Sequence, residues 1–153
     1  MRQVRRNVFE TNSSSCHSLT LIKGGDLQSS CLEVSDEDLI KIHGGEFGWE
    51  VEQYTGQESK LQYLFTGIRY QNEANDIINS IWFKWLNEMI FEYTGHELHP
   101  IEKDSWCEWG YIDHQSIGEL DEIFIKDEQT FKENAKWFIF GSESYFITDN
   151  DNH

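Results

Sequence analysis

Four side chains that can bind a metal ion lie within nineteen residues in the second half of the chain: His96, His99, Cys107 and His114. Zinc in structural sites takes four nitrogen or sulfur ligands in a tetrahedron, and imidazole and thiolate are its preferred donors. His96 and His99 are three residues apart, and we expect them to face one ion across a turn that Pro100 ends. The spacing matches no zinc-finger pattern, so the alternative is four unrelated polar residues in a loop and on a strand edge.

A second group of reactive side chains lies in the run NSSSCHS near the N-terminus. His17 stands at the start of a predicted strand, where it could meet His114 across a sheet and share a metal ion. Adjacent residues of an extended segment point to opposite faces, so we do not expect Cys16 to bind the same ion as His17. Cys31 and His43 are further potential ligands. The predicted metal site, a structural zinc, comprises His17, His96, His99, Cys107 and His114.

The same run also permits nucleophilic catalysis. One of the serines at 13–15 could attack a substrate, with His17 or His114 as the base and Asp113 orienting it. This alternative is a metal-dependent or serine hydrolase centred on His17, His114 and Asp113. The chain lacks a G-x-S-x-G elbow, and the serines and His17 are too close in sequence for a typical nucleophile and base. The plainer interpretation is that Asn12 and the serines form local turns.

The net charge is the strongest global feature of the sequence. Its formal value is -16, from 28 acidic and 12 basic residues. Three of the arginines lie in the first six positions, and from residue 11 onward 9 basic and 27 acidic residues give a net charge of -18. Binding to nucleic acid through its phosphates needs a positive surface, so we do not expect direct contact with nucleic acid. A negative field favours basic partners, and an acidic protein with no such partner is the alternative.

The apolar and cysteine content limits where the protein is expected to work. No run approaches the ~20 apolar residues that span a bilayer, so we expect no membrane insertion. No apolar run follows the N-terminal arginines, so we expect no signal peptide. The three cysteines are an odd number and poor evidence for a secreted disulfide framework. We therefore expect a cytoplasmic protein whose thiols are reduced.

The elements that must position these residues are predicted from periodicity and turn residues. The chain of 153 residues, 14% of them aromatic, fits a single acidic domain spanning 1–153. The order of elements lacks a regular βαβ alternation. We therefore expect an α+β fold of short, mostly antiparallel strands, with a central helical pair and one further C-terminal helix. The predicted helices are 35–43, 58–70, 73–93 and 127–140, and the predicted strands are 18–22, 31–34, 47–54, 106–112 and 144–148.

Four stretches of the chain resemble a family of small, mostly uncharacterised proteins from phages and mobile elements of Gram-positive bacteria. The stretches are FETNSSSCHS, GEFGWE, GYIDHQS and SYFITDNDN. The resemblance runs from residue 5 to the C-terminus, and it implies that His17 and His114 are a recurrent pair. In size and charge such proteins are similar to anti-CRISPR proteins, some of which inhibit the RNA-guided nuclease of type II systems.

The resemblance implies an interaction protein rather than an enzyme: a phage-borne inhibitor of a basic host nuclease, with a structural zinc. An RNA-guided nuclease holds nucleic acid in a positively charged channel, which an acidic surface could occupy as a competitor. We expect a monomer or a small oligomer that acts in the host cytoplasm. The remaining alternative is an acidic structural or assembly protein of a virion or mobile element, without enzymatic activity.

Overall fold

The computed structural model describes residues 18–47, 52–71, 80–101, 111–112 and 123–148. These residues form three helices and seven strands, and their arrangement confirms the predicted α+β class. The helices are α1 (Gln57–Gln71), α2 (Ile81–Thr94) and α3 (Glu128–Phe140). The strands are β1 (Ser18–Thr20), β2 (Leu39–Ile42), β3 (Glu46–Phe47), β4 (Glu52–Tyr54), β5 (Glu97–Pro100), β6 (Tyr111–Ile112) and β7 (Tyr145–Thr148).

The strand β7 is the middle strand of a three-stranded antiparallel sheet, with the order β1-β7-β4. Phe146 stands between Leu19 of β1 and Tyr54 of β4 in the two ladders. Phe146 and Thr148 are buried while Tyr145 and Ile147 are half-buried, so one face of the strand meets the core. The strands predicted at 18–22 and 144–148 are therefore confirmed, and the sheet joins the two ends of the described chain.

Two further strand pairs are parallel, which was not predicted. Ile40 of β2 lies opposite Leu98 of β5, and Phe47 of β3 lies opposite Ile112 of β6. Parallel strands need a long crossover connection, and the chain between β2 and β5 includes both α1 and α2. Both helices also lie between β3 and β6, so each parallel pair is joined by a long crossover rather than by a hairpin.

The helices bury apolar side chains at three- and four-residue spacing. In α1 the residues Leu61, Leu64, Phe65 and Ile68 are all at most 1% exposed, which confirms the helix predicted at 58–70. The helix predicted at 127–140 is confirmed as α3, whose first turn is capped by the side chain of Asp127. Carboxylates are favoured at this position because they accept hydrogen bonds from free backbone N–H groups.

The prediction of one continuous helix over 73–93 is wrong, because the backbone at Ser80 is extended (φ -71°, ψ 135°). The hydroxyl of Ser80 accepts hydrogen bonds from the backbone N–H groups of Trp82 and Phe83 and so begins α2. Apolar periodicity alone does not reveal such a start. The end is as predicted, since Gly95 adopts the left-handed conformation (φ 84°) that closes helices. The first part of the predicted span lies outside the described residues.

The helix predicted at 35–43 is also wrong, and a turn followed by β2 takes its place. The carbonyl of Ser35 accepts from the N–H of Asp38 at 2.9 Å, and its N–H donates to the carbonyl of Leu39 at 2.8 Å. The Ser35 hydroxyl accepts from the N–H groups of Glu37 and Leu39, so the expected helix cap closes a turn instead. Asp38 has φ 69°, a left-handed conformation that no α-helix contains.

The remaining strand predictions have mixed outcomes. The segment 31–34 forms no strand and runs as irregular chain. The prediction at 47–54 spans the end of β3 and all of β4, while 48–51 lie outside the described residues. Of the strand predicted at 106–112, only residues 111–112 are described, and they form β6.

Candidate functional site

The described residues include two of the five predicted zinc ligands, His96 and His99. The other three ligands and the residues of the hydrolase alternative lie outside the described residues and remain predictions. They are His17, Cys107 and His114 for the metal site, and Asp113 and the serines at 13–15 for the hydrolase. The candidate site in the described structure is therefore the edge formed by β2 and β5, where both described candidate ligands lie.

The prediction that a turn carries His96 and His99 is wrong. Residues 97–100 form the strand β5, and His96 directly precedes it. His99 lies within β5 and His96 just before it, so the two histidines do not share one turn of chain. His99 is exposed and lies opposite Lys41 in the ladder. The His96 side chain is 29% exposed and faces Asp38, whose Oδ1 lies 3.1 Å from its Nδ1.

His96 is held between the end of α2 and the turn before β2. Its backbone N–H donates to Oγ1 of Thr94 at 3.0 Å, and that hydroxyl donates to the carbonyl of Ile90 at 2.8 Å. Nδ1 of His96 is buried, and its contact with Asp38 is close without being aligned as a hydrogen bond. Asp38 therefore lies on the Nδ1 side of the ring, and Nε2 is the nitrogen left to bind a metal.

The turn at 36–38, which we call the acidic turn, places Asp38 against this histidine and carries two further carboxylates. Glu37 Oε1 lies 2.9 Å from Lys41 Nζ, and the hydrogen bond and charge of this lysine lower the pKa of the Glu37 carboxyl. Glu97 of β5 is exposed beside the turn, opposite Leu39. Within the described part of the chain, Asp36 and Glu97 form no ion pair. The edge therefore carries four carboxylates, those of Asp36, Glu37, Asp38 and Glu97.

The described donors alone do not form a zinc site. In the part of the chain that the structure describes, no three side chains of histidine, cysteine, aspartate or glutamate converge on a point where an ion could sit. Near His96 the described donor is Asp38. A zinc that includes His96 would need further ligands from the segments outside the described residues, and tetrahedral zinc accepts such mixed sets of nitrogen, sulfur and oxygen donors.

The zinc hypothesis predicts about one zinc per chain in protein purified without a chelator or a histidine tag. Elemental analysis should then show the metal lost in His114→Ala. Because the hypothesis names both His96 and His99 as ligands, His96→Ala and His99→Ala should each lose zinc as well. His43→Ala is the control, because His43 is not one of the five predicted ligands. Absence of zinc from the wild type would contradict the hypothesis, and a variant that keeps its zinc would remove that histidine from the ligand set.

The structure also shows a buried lysine that the sequence analysis did not single out. Lys60 is 1% exposed, and its Nζ donates to the carbonyl of Ser144 at 2.9 Å and to that of Gly141 at 3.3 Å. Burial lowers the pKa of the Lys60 ammonium to about 8. Gly141 directly follows α3 and Ser144 directly precedes β7, so the lysine ties α1 to the turn between these two elements. Its burial could have been predicted from the sequence, because Lys60 lies one turn before Leu64 on the apolar side of α1.

The longest described helix, α1, has 15 residues, whereas a transmembrane helix needs ~20 apolar ones. Accordingly, no helix in the described ranges is long and apolar enough to cross a membrane. Comparisons of the chain with known protein families, with curated proteins and with solved structures find no match.

Proposed function

We propose that this chain is a non-enzymatic binding protein that docks on a basic surface of a host protein through the β2–β5 edge. Following its resemblance to small phage proteins, we propose that the partner is an RNA-guided DNA nuclease of the bacterial cytoplasm and that binding inhibits it. The observation that carries the proposal is the grouping of four carboxylates on this edge, against the single ammonium of Lys41. A structural zinc belongs to the proposal and is tested by the metal analysis above.

The ladder between β2 and β5 gives this charge a fixed position. Register places Glu97 directly opposite Leu39, so the acidic turn and the start of β5 lie side by side. Lys41 neutralises Glu37, which leaves the other three carboxylates to act outward, with His96 beside Asp38. Such a surface complements the positive channel in which a guide-loaded nuclease holds nucleic acid. Complementary charge of this kind raises the association rate and the specificity more than it raises affinity.

The edge is expected to control how fast the partner binds. In surface plasmon resonance against a guide-loaded type II nuclease, we expect affinity to fall steeply from about 50 mM to about 500 mM NaCl, because salt screens exposed charges. The double variant Asp36→Asn with Glu97→Gln should associate about threefold to tenfold more slowly, with a smaller change in dissociation.

The matched control changes the same amount of charge elsewhere. Glu92 on α2 and Glu143 before β7 are both exposed, and neither belongs to the β2–β5 edge. The variant Glu92→Gln with Glu143→Gln should associate at nearly the wild-type rate. Equal slowing in both double variants would assign the effect to net charge rather than to the edge. Absence of binding by the wild type at low salt would remove the proposed function.

A further inference from the structure

A cavity of about 220 Å³ opens beside β2, between this strand, the start of α1 and the segment at 32–35. Four apolar side chains that line it are nearly fully buried and form its floor. At its rim lie two exposed carboxylates, those of Glu33 and Glu58. An apolar floor below an acidic rim suits an alkyl chain that ends in a cation. The floor residues are Leu32, Ile40, Ile42 and Leu61.

The wall of the cavity that precedes β2 is held in place by a buried glutamine of α1. Gln57 is 6% exposed, its Oε1 accepts from the N–H of Cys31 at 2.8 Å, and its Nε2 donates to the carbonyl of Ser29 at 3.0 Å. At the far end of this wall, Ser35 closes the acidic turn through its hydroxyl. Because these hydrogen bonds fix both ends of the wall, the cavity is formed before any ligand arrives, which lowers the entropic cost of binding.

The charges around the cavity favour a cation over an anion. Neither Glu33 nor Glu58 has an ion-pair partner among the described residues. Lys41 also lines the cavity, but Glu37 neutralises it at 2.9 Å. The positive end of the α1 dipole is equivalent to about half an elementary charge, which two carboxylates outweigh. The acidic turn, which lies next along the chain, adds further negative potential.

We propose that this cavity receives one arginine side chain of the basic partner, with its alkyl stem on the apolar floor and its guanidinium between Glu33 and Glu58. Arginine buries its stem against apolar surface while its charged head stays at the rim. Its planar guanidinium also pairs with a carboxylate through two parallel hydrogen bonds, which an ammonium cannot do. The identity of the partner rests on the proposed function, whereas the chemistry of the cavity rests on the residues that line it.

The first test uses a small probe on the full chain. Titration of ¹⁵N-labelled protein with N-acetyl-arginine amide should shift the backbone amide signals of Glu33, Lys41 and Glu58 in a saturable manner. We expect a Kd of about 1–10 mM, as befits a single small ligand. N-acetyl-citrulline amide has the same shape without the charge and should bind at least about tenfold more weakly. No saturable shift at these amides, or equal binding of citrulline, would overturn the inference.

The second test removes the rim charges. Glu33→Gln with Glu58→Gln should weaken binding of the arginine probe by about tenfold or more, because it removes both charged acceptors. The control pair Glu92→Gln with Glu143→Gln changes the net charge equally and should stay within about twofold of the wild type. All four side chains are exposed, so both variants should fold, which circular dichroism can verify. Equal weakening in the two pairs would show that net charge alone attracts the probe and would overturn the inference.

The cavity and the proposed function fail in different experiments. If the arginine probe binds at the rim but no nuclease binds the chain, the proposed function falls and the cavity remains an arginine site. If a nuclease binds the wild type and the Glu33→Gln, Glu58→Gln variant with equal affinity, the inference about the cavity falls and the proposed function stands.

Discussion

Replacement of Phe146 by alanine is expected to lower the free energy of unfolding by about 3–5 kcal/mol. Phe146 is fully buried on the middle strand of the antiparallel sheet. Its ring stacks on those of Tyr63 and Tyr54, with centroids 4.0 Å and 4.6 Å away, and meets the ring of Phe47 edge-on at 5.5 Å. These neighbours come from α1, β4 and β3. They cannot all move inward, so a cavity would remain.

Urea unfolding followed by circular dichroism measures this loss. The control is Phe91→Ala, since Phe91 lies on α2 with 51% of its surface exposed and should lower stability by only about 1 kcal/mol. A typical domain is stable by about 5–15 kcal/mol, so Phe146→Ala should have a much lower urea midpoint or be partly unfolded in water. Similar losses for the two variants would contradict the position of Phe146 at the centre of the core.

The second large effect is a dependence of stability on pH that requires Lys60. Its pKa in the folded protein is about 8, below the ~10.4 of an exposed lysine. Between these values the unfolded chain binds more protons, so the free energy of unfolding rises with pH through this window. Below pH ~8 Lys60 is protonated in both the folded and the unfolded state, and burial of its charge destabilises the folded state by its full amount. From about pH 7 to about pH 9.5 the gain should be about 2 kcal/mol.

The variant Lys60→Met tests this dependence, because methionine fills similar space and does not titrate. Other groups titrate in this range, so the quantity to measure is the difference in unfolding free energy between wild type and variant at each pH. We expect this difference to move in favour of the wild type by about 2 kcal/mol as the pH rises. The control Lys84→Met replaces a lysine whose side chain is 63% exposed and should show no such trend. Parallel stability curves for wild type and Lys60→Met would contradict the prediction.

Local patterns in the sequence were enough to predict α1, α3, β1 and β7. Each of these elements buries a face whose residues repeat with the period of its own backbone, and that period is visible in any single sequence. Two of the boundaries were equally local. Gly95 ends α2 because it tolerates the left-handed conformation, and Asp127 begins α3 because its carboxylate accepts a backbone hydrogen bond.

Each of the two wrong helix predictions involves a serine whose hydroxyl can either close a turn or cap a helix. At Ser35 the hydroxyl closes a turn and at Ser80 it caps a helix, and both are hydrogen bonds to backbone N–H groups nearby. Which of the two forms depends on the tertiary contacts of the next segment of chain. The chain after Ser35 becomes β2 because β5 offers a parallel ladder, in which buried Ile40 pairs with Leu98. That partner lies on the far side of two helices and is invisible to local periodicity.

The sequence by itself determined the charge of this protein, the α+β class and the elements whose periodicity is local. Only the tertiary structure decided which charges lie together, since the contact between Asp38 and His96 exists because β2 and β5 pair in one register. Tertiary packing likewise buries Lys60 and forms the apolar floor beneath Glu33 and Glu58. A side chain's environment is made by residues distant in sequence, and their approach is set by the packing of the whole core rather than by any nearby pattern.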